Sequence, residues 1–372
     1  MTKPSPSFFG SIVTRFTNTF VSTLSVFISL AFIGVGFTVL LGVLALLAGG
    51  GESQTSDRYE FISGKEGSRD RLLRLNISGP ILGSPPENED TFFSALGGVT
   101  YGYQVQKQLK EAAEEDSIKG VILDISTPGG TIFGSQAIFD GIQAYKEATG
   151  NPIYAFIEGI SASGGVWAMV GADKIYADYG SMIGSIGIIG PSFMFYDRPI
   201  AMDDGLFGGG ITTANGIEQK TIIAGRGKDV GNPFRRLTPE ELQVFQAGLD
   251  QEYTVFVNHV AENRGMDANI IRNQMGAMIF GNQQAEQFKL IDGTLSRPAT
   301  IDALAEAAGL GEDFAVVRVR SDRTPLVNQL FGVTTALPSL QEQQAWQKGQ
   351  LCSLRHHRAL AYYGDLSQCV PR

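Results

Sequence analysis

Ser163 sits in "GISASGG", directly after the apolar run "PIYAFI", with Ala162 before it and Gly164 and Gly165 behind. Small residues around a serine at a strand end expose its oxygen, as a nucleophile requires. A serine nucleophile also needs a base, and the chain holds three histidines, all well downstream: His259, His356 and His357. His259 falls inside "TVFVNHVAENRG", the place of a packed or surface helix residue, and the other two lie beside Arg355 and Arg358 in a weakly patterned tail. A lysine is the other option. It must be uncharged at neutral pH, so burial and nearby positive charge have to draw its pKa several units below about 10.4. Lys228, in "IIAGRGKDVG", follows an apolar run, with Gly225 and Gly227 before it and Arg226 two residues back. On composition alone a solvated turn lysine paired with Asp229 describes it as well. The loop is no phosphate cradle, because "GRGKD" lacks the Ser/Thr that follows the lysine of a P-loop.

Three glycine-containing turns follow successive apolar runs: "STPGG" (126–130), "SASGG" (161–165) and "IGSIG" (183–187). Strand ends on one edge of a parallel sheet share a crevice, where sites form. Acyl transfer needs two N–H donors for the developing oxyanion. Gly164, next to Ser163, supplies one, and Gly129 or Gly130 the other.

The elements that must position these residues alternate. "RLLRLNIS" reads as a strand, "TYGYQVQKQLKEAAEED" as a helix, "GVILDIST" as a strand, and "SQAIFDGIQAYKEATG" as a helix closed by Gly150. "PIYAFIEG", "KIYAD", "IGSIGIIG" and "FAVVRVR" read as further strands, with "GGVWAMVGA" a short helix between the first two. "KTIIAGRGKD" reads as strand into loop. A long helix opens at Thr238 with Pro239 and Glu241 completing a capping box. "MDANIIRNQMG", "NQQAEQFKLI" and "ATIDALAEAAGL" continue as helices. Strands separated by helices indicate βαβ units, hence an α/β fold with a parallel sheet covered on both faces.

A stretch without charge runs from Phe16 to Gly51 and contains "LSVFISLAFIGVGFTVLLGVLALLAG". It exceeds the apolar run of a cleaved secretory signal and is long enough to span a bilayer. Lys3 and Arg15 precede it, while Glu52, Asp57 and Glu60 follow, so the positive-inside rule puts the N-terminus in the cytoplasm and the rest across the membrane. The expected organisation is a cytoplasmic segment (1–22), an anchor (23–49), a polar linker (50–69), a catalytic domain (70–312) and a C-terminal extension (313–372). A net charge of -9 argues against nucleic-acid binding. The two cysteines, Cys352 and Cys369, both fall in the tail, where beyond a membrane they predict a disulfide.

The ordered motifs "STPGG", "SASGGVWAMVGADKIYADYGSMIGSIGIIG" and "GKDVGNPFRRLTPEE", with "FVNHVAENRG" and "IFGNQQAEQFKLIDG" after them, resemble the signal peptide peptidase A family of membrane-anchored serine proteases. The resemblance covers roughly residues 70–312. It implies a Clp protease/crotonase-like spiral of ββα units and a Ser/Lys dyad of Ser163 as nucleophile and Lys228 as base. It further implies that Ser185 of "GSIG" orients the lysine and that the "PGG" glycines form the oxyanion turn. No cofactor or metal is implied. Short members are implied to be homo-oligomers in which serine and lysine come from adjacent subunits, with remnant signal peptides as apolar substrates.

Two features depart from the family pattern: the glycine-rich excursion 203–215, which stretches the Ser163–Lys228 gap to 65 residues (228 − 163), and the cysteine-bearing tail. An extended peptide is expected to add as a strand alongside "PGG" and "GSIGIIG". Two rivals remain at this point. One is an esterase-type hydrolase with a triad of Ser163, His259 and an aspartate such as Asp250, although Ser161 stands where its elbow needs glycine. The other is a non-catalytic membrane scaffold.

Overall fold

Alternation decides the architecture. In the segment Ile118–Thr127, Val121, Leu123 and Ile125 join one apolar cluster and Ile122 another, so both faces of this strand are covered. The computed structural model describes residues 58–85, 98–197, 219–320, 352 and 360–362. The expected anchor (23–49), the 203–215 excursion, His356, His357 and Cys369 lie outside the described residues. Among the described residues no helix is long and apolar enough to cross a membrane.

In chain order the elements begin with β1 (Tyr59–Gly64), β2 (Arg71–Ser78), β3 (Ile81–Leu82), β4 (Thr100–Tyr101) and α1 (Gly102–Ala113). There follow β5 (Ile118–Thr127), β6 (Gly129–Thr131), α2 (Ile132–Thr149), β7 (Ile153–Ala162), α3 (Gly164–Met169), β8 (Lys174–Ala177) and β9 (Met182–Gly184). The remainder is α4 (Pro239–Arg264), a helical turn that continues as a π-helix over Ile271–Met275, β10 (Ile279–Gly281), α5 (Asn282–Gln287), β11 (Gly293–Thr294), α6 (Arg297–Ala307), β12 (Ala315–Val319) and β13 (Leu360–Tyr362).

The larger sheet runs β1-β12-β2-β5-β7-β8-β11, with β9 also on β7 and β10 on β9. Its pairings are parallel except β1–β12 and β9–β10. The smaller sheet runs β13-β6-β3-β4. Twice a long strand of the large sheet leads at once into a short strand of the small one: β2 into β3 and β5 into β6. This is an α/β fold with mixed sheets. One face carries the main core, where α1, α2 and α3 pack on Leu73, Leu123 and Ile157. Leu304 of α6 covers the other, against Leu72, Ile122 and Phe156.

Local signals read from sequence hold. Gly150 closes α2 in the left-handed conformation, and Thr238 and Glu241 form the capping box of α4. Other readings need correction. Residues 59–64, placed in the linker by their polarity, form an edge strand on β12, and β12 joins the main sheet although it lies past residue 312. "KTIIAG" forms no strand, and "IGSIGIIG" contributes only Ile183 and Gly184 to β9. Both stretches are apolar but glycine-broken, and the 219–224 part finds no partner strand among the described residues.

Candidate active site

β7 delivers Ser163 to the sheet edge. The serine is fully buried and occupies the cap position of α3 with φ 54° and ψ -112°, a region that a residue with a Cβ rarely adopts. Its backbone is fixed on both sides: Ser163 N–H donates to the Gly184 carbonyl (2.8 Å), and the Ser163 carbonyl accepts from Trp167 N–H (3.0 Å). The side chain is held loosely, its Oγ donating to the Gly187 carbonyl at 3.4 Å.

The glycines behind it are there for close approach. A Cβ on Gly164 would press on Ser135 Oγ and the Ala361 carbonyl, and one on Gly165 would stand 2.6 Å from the Thr127 methyl. The "PGG" turn is equally tight, since a Cβ on Gly130 would run into the Ile81 backbone. These contacts lock the 127–131 turn against the start of α3. Gly164 N–H is among the first amides of that helix, which no helical carbonyl can satisfy. Gly130 N lies 3.0 Å from the β-position of Gly164, so both amides border one spot. The third expected donor is withdrawn: Gly129 N–H donates to Thr127 Oγ1 at 3.0 Å.

Ser185 is brought beside Ser163. β9 pairs with β7 in parallel, Ala162 opposite Gly184, which places the two serines at matching positions one residue on. Ser185 is buried, with φ 57°, and its N–H donates to the Met278 carbonyl (2.7 Å).

Lys228 is not brought to Ser163 within the chain. It is exposed, on a series of turns from Gly225 to Gly231. Its expected turn partner is engaged elsewhere. Both Asp229 oxygens bind Arg235 (2.7 and 2.8 Å), whose guanidinium also grips both oxygens of Glu241 at 2.7 and 2.9 Å. Hydrogen bonds from Arg235 hold the Asp229 carboxyl below its ordinary range and that of Glu241 down at about 2. Arg226 pairs with Glu240. The turn bearing Lys228 is thus clamped to the first turn of α4, while the ammonium makes no hydrogen bond or ion pair among the described residues. Sequence reading missed Arg235; the signal was a second arginine ahead of a capping box.

His259 serves packing. Its Nε2–H donates to the Trp167 carbonyl (2.9 Å), its ring stacks on Trp167 and meets Phe139 edge-on, and burial pushes its pKa below the ordinary value. Asp250, its supposed triad partner, accepts from Gln246 instead. Among the described residues no cluster of histidine, cysteine, aspartate and glutamate is set to hold a metal. Cys352 is disulfide-bonded.

A buried serine on a left-handed corner, close to the glycine turn of β6, suits acyl transfer. Residues 145–311 match the model of peptidase family S49. Over those residues the chain is similar to the S49 peptidases. Ser163, Ser185 and Lys228 all fall inside the match, while the Gly129–Gly130 turn precedes it. A signal peptide peptidase SppA of Enterococcus faecium is 28% identical over 296 residues, which cover 79% of this chain and 78% of that one. A chloroplastic serine protease SPPA of Arabidopsis thaliana is 23% identical over 74% of this chain and 38% of its own longer sequence. Among solved structures, a Listeria monocytogenes ClpP1 variant matches 63% of this chain and 95% of its own at 14% identity, with a TM-score of 0.36. These likenesses support a serine peptidase that acts on peptides.

Proposed function

We propose that the protein is a membrane-anchored endopeptidase that cuts apolar, signal-peptide-like segments with a Ser163/Lys228 dyad. The observation that carries this is the Ser163 corner. It is buried and fixed through its backbone, but among the described residues its hydroxyl is bound only by a long contact. Neutral Lys228 takes the Oγ proton as Oγ attacks the peptide carbonyl carbon, and the oxyanion rests on Gly130 and Gly164 N–H. Collapse breaks the C–N bond, the lysine hands its proton to the leaving amine, and water attacks the acyl-enzyme in a second cycle. Ser185 stands where its hydroxyl can orient the lysine beside Ser163.

Exposure of Lys228 supports a base supplied by a neighbouring copy, whose contact would remove it from water. The surface around it favours such a contact: Met194, Tyr196, Ile222, Leu242 and Val244 are large, apolar and exposed. The recurrence of a long strand leading into a short one supports the Clp/crotonase-like spiral. The uncharged 16–51 stretch supports a single N-terminal anchor, a cytoplasmic N-terminus and a catalytic domain beyond the membrane.

The test is hydrolysis of apolar peptides, with a mass-identified fluorophosphonate adduct, by wild type, Ser163→Ala and Lys228→Ala. Both variants should lose turnover, and only Ser163→Ala must also lose the adduct site. Equal rates in all three would end the reading. An inert Ser163 at alkaline pH would leave the scaffold reading in its place.

A further inference from the structure

β7 carries two surplus residues just before Ser163. From Ile125 to Thr127 β5 advances two residues, while β7, its parallel partner, advances four, from Ile157 to Ser161. Over the same stretch β7 changes its neighbour on the other side. Tyr154–Ile157 pairs with Lys174–Ala177 of β8, and Ile160–Ala162 pairs with Met182–Gly184 of β9. Glu158 and Gly159 fall in the gap, with Gly159 at φ 84°. Two sets of contacts hold this bulge. Ser181, buried in the turn between β8 and β9, donates its hydroxyl to the Ile157 carbonyl (3.1 Å) and accepts from Gly159 N–H (3.2 Å). The same Ile157 carbonyl accepts from Asp178 N–H at 2.8 Å, and Ser181 N–H closes the turn on the Asp178 carbonyl at 3.2 Å. On the face of the sheet, Glu158 pairs with Arg297, which also reaches Asp124.

We propose that Ser181 is a positioning residue for the peptidase reaction, its hydroxyl spanning the bulge of β7 and thereby setting Ser163 level with Ser185 and with the glycine turn of β6. The proposal rests on Ser163 being the nucleophile. A strand rises about 3.3 Å per residue, so without the surplus Ser163 would run on by about 6.6 Å along the sheet. It would then pass the Gly129–Gly130 turn and lose the pairing that puts Ala162 opposite Gly184. Bulges beside reactive groups re-aim a side chain in this way. The bulge interrupts the ladder, so Ile157 and Gly159 need other partners, and one hydroxyl serves both, as donor and as acceptor. Alanine at 181 leaves Gly159 N–H without that acceptor, and the bulge is free to shift. A displacement of about 1 Å at the nucleophile is enough to cost on the order of a hundredfold in rate. Ser181 is 1% exposed and so out of the peptide's reach. The loss therefore falls on kcat and leaves KM.

The full chain is assayed as wild type, Ser181→Ala, Ser181→Thr and Gly159→Ala for peptide hydrolysis, fluorophosphonate labelling of Ser163 and urea midpoint, with kcat expressed per site labelled at completion. Ser181→Ala should lower kcat per site about 10- to 100-fold, with KM changed by less than about twofold. Ser181→Thr keeps the hydroxyl and should recover most of that loss. Gly159→Ala strains the bulge from its own side. Alanine disfavours φ 84°, although its methyl has room, the nearest atom being Ser126 Oγ at 3.9 Å. This variant should lose kcat in the same way with Ser181 intact, and it decides the matter if Ser181→Ala does not fold. Wild-type kcat per site in Ser181→Ala, or in Gly159→Ala where the other fails to fold, would overturn the proposal whatever the urea midpoints. So would a loss in Ser181→Ala that Ser181→Thr shares in full. Absence of any Ser163 adduct in the wild type would instead sink the peptidase reading, and the proposal with it.

Discussion

Ser163 and Ser185 stand at matching positions, one residue beyond the paired Ala162 and Gly184, and both hold left-handed backbone (φ 54° and 57°). Among the described residues only Lys289 shares that conformation without being glycine. Holding such a conformation costs of order 1–3 kcal/mol per residue, and it persists where the surroundings over-determine it. Here they do, through the Gly184 and Met278 carbonyls. The strained positions place the two serines side by side at the ends of β7 and β9.

Ser185→Gly should therefore stabilise the fold or leave it unchanged, since relief of strain offsets the roughly 0.5–1 kcal/mol of added chain entropy. Peptide turnover should fall at least about tenfold, corresponding to ~1.4 kcal/mol of lost transition-state stabilisation. Denaturant midpoints and kcat/KM, measured on one preparation, check both halves. A variant that is less stable and fully active would show that Ser185 serves the turn and has no part in the chemistry.

Arg235 is expected to act through Lys228. Arg235→Ala frees Asp229 and Glu241 from a shared guanidinium and releases the 225–231 turn from α4. The expected result is a drop in kcat of about 10- to 100-fold with KM little changed, because peptide contacts lie elsewhere. Arg235→Lys should recover little, as an ammonium cannot grip two carboxylates in a planar fork. Both carboxyls sit below their ordinary values when folded, Glu241 at about 2 against 4.5. The clamp is therefore complete above about pH 4.5 and is lost as pH falls toward 2. Carboxyl titration by NMR would show this directly; an ordinary Glu241 midpoint would remove the clamp.

The buried βα frame was legible because its signals are local or periodic. Ile153–Ala162 reads as a strand from its apolar run, and Gly150, Thr238 and Glu241 mark helix ends by chemistry that needs no tertiary partner. Elements decided by distant partners were not legible. β1 is a short apolar run inside a polar stretch and is set as a strand by pairing with β12, and β13 by lying on β6 and Ile189. At the site, the small residues around Ser163 announced a close approach. That Gly129 N–H would turn to Thr127, and that Asp229 would choose Arg235 over Lys228, depended on side-chain geometry that spacing does not encode.

Gly130→Ala should be among the more damaging single-methyl additions. The new Cβ would collide with the Ile81 backbone, which cannot rotate away as a side-chain end can. Overpacking against backbone costs about 1–3 kcal/mol, and here it would also part β6 from β3. Urea midpoints should fall accordingly, and labelling of Ser163 should weaken because the Gly130 amide shifts. Full stability in this variant would mean that β3 and β6 can slide apart without cost.

His259 separates the dyad from a histidine triad. It donates to the Trp167 carbonyl at the end of the helix that starts beside Ser163, and burial lowers its pKa from the ordinary 6.5. Its neutral form is favoured by folding, so its contribution is fully present above about pH 6.5. That contribution declines as pH falls from there through the lower folded value, where the unfolded chain binds the extra proton. Wild type should thus be less stable in urea at pH 5 than at pH 7.5. His259→Gln, which keeps a donor for Trp167, should show a smaller difference between the two. The same variant should retain most of its peptide turnover, losing only what a shift of α3 costs. A loss of several thousandfold, with a normal urea midpoint, would make His259 the base and displace Lys228.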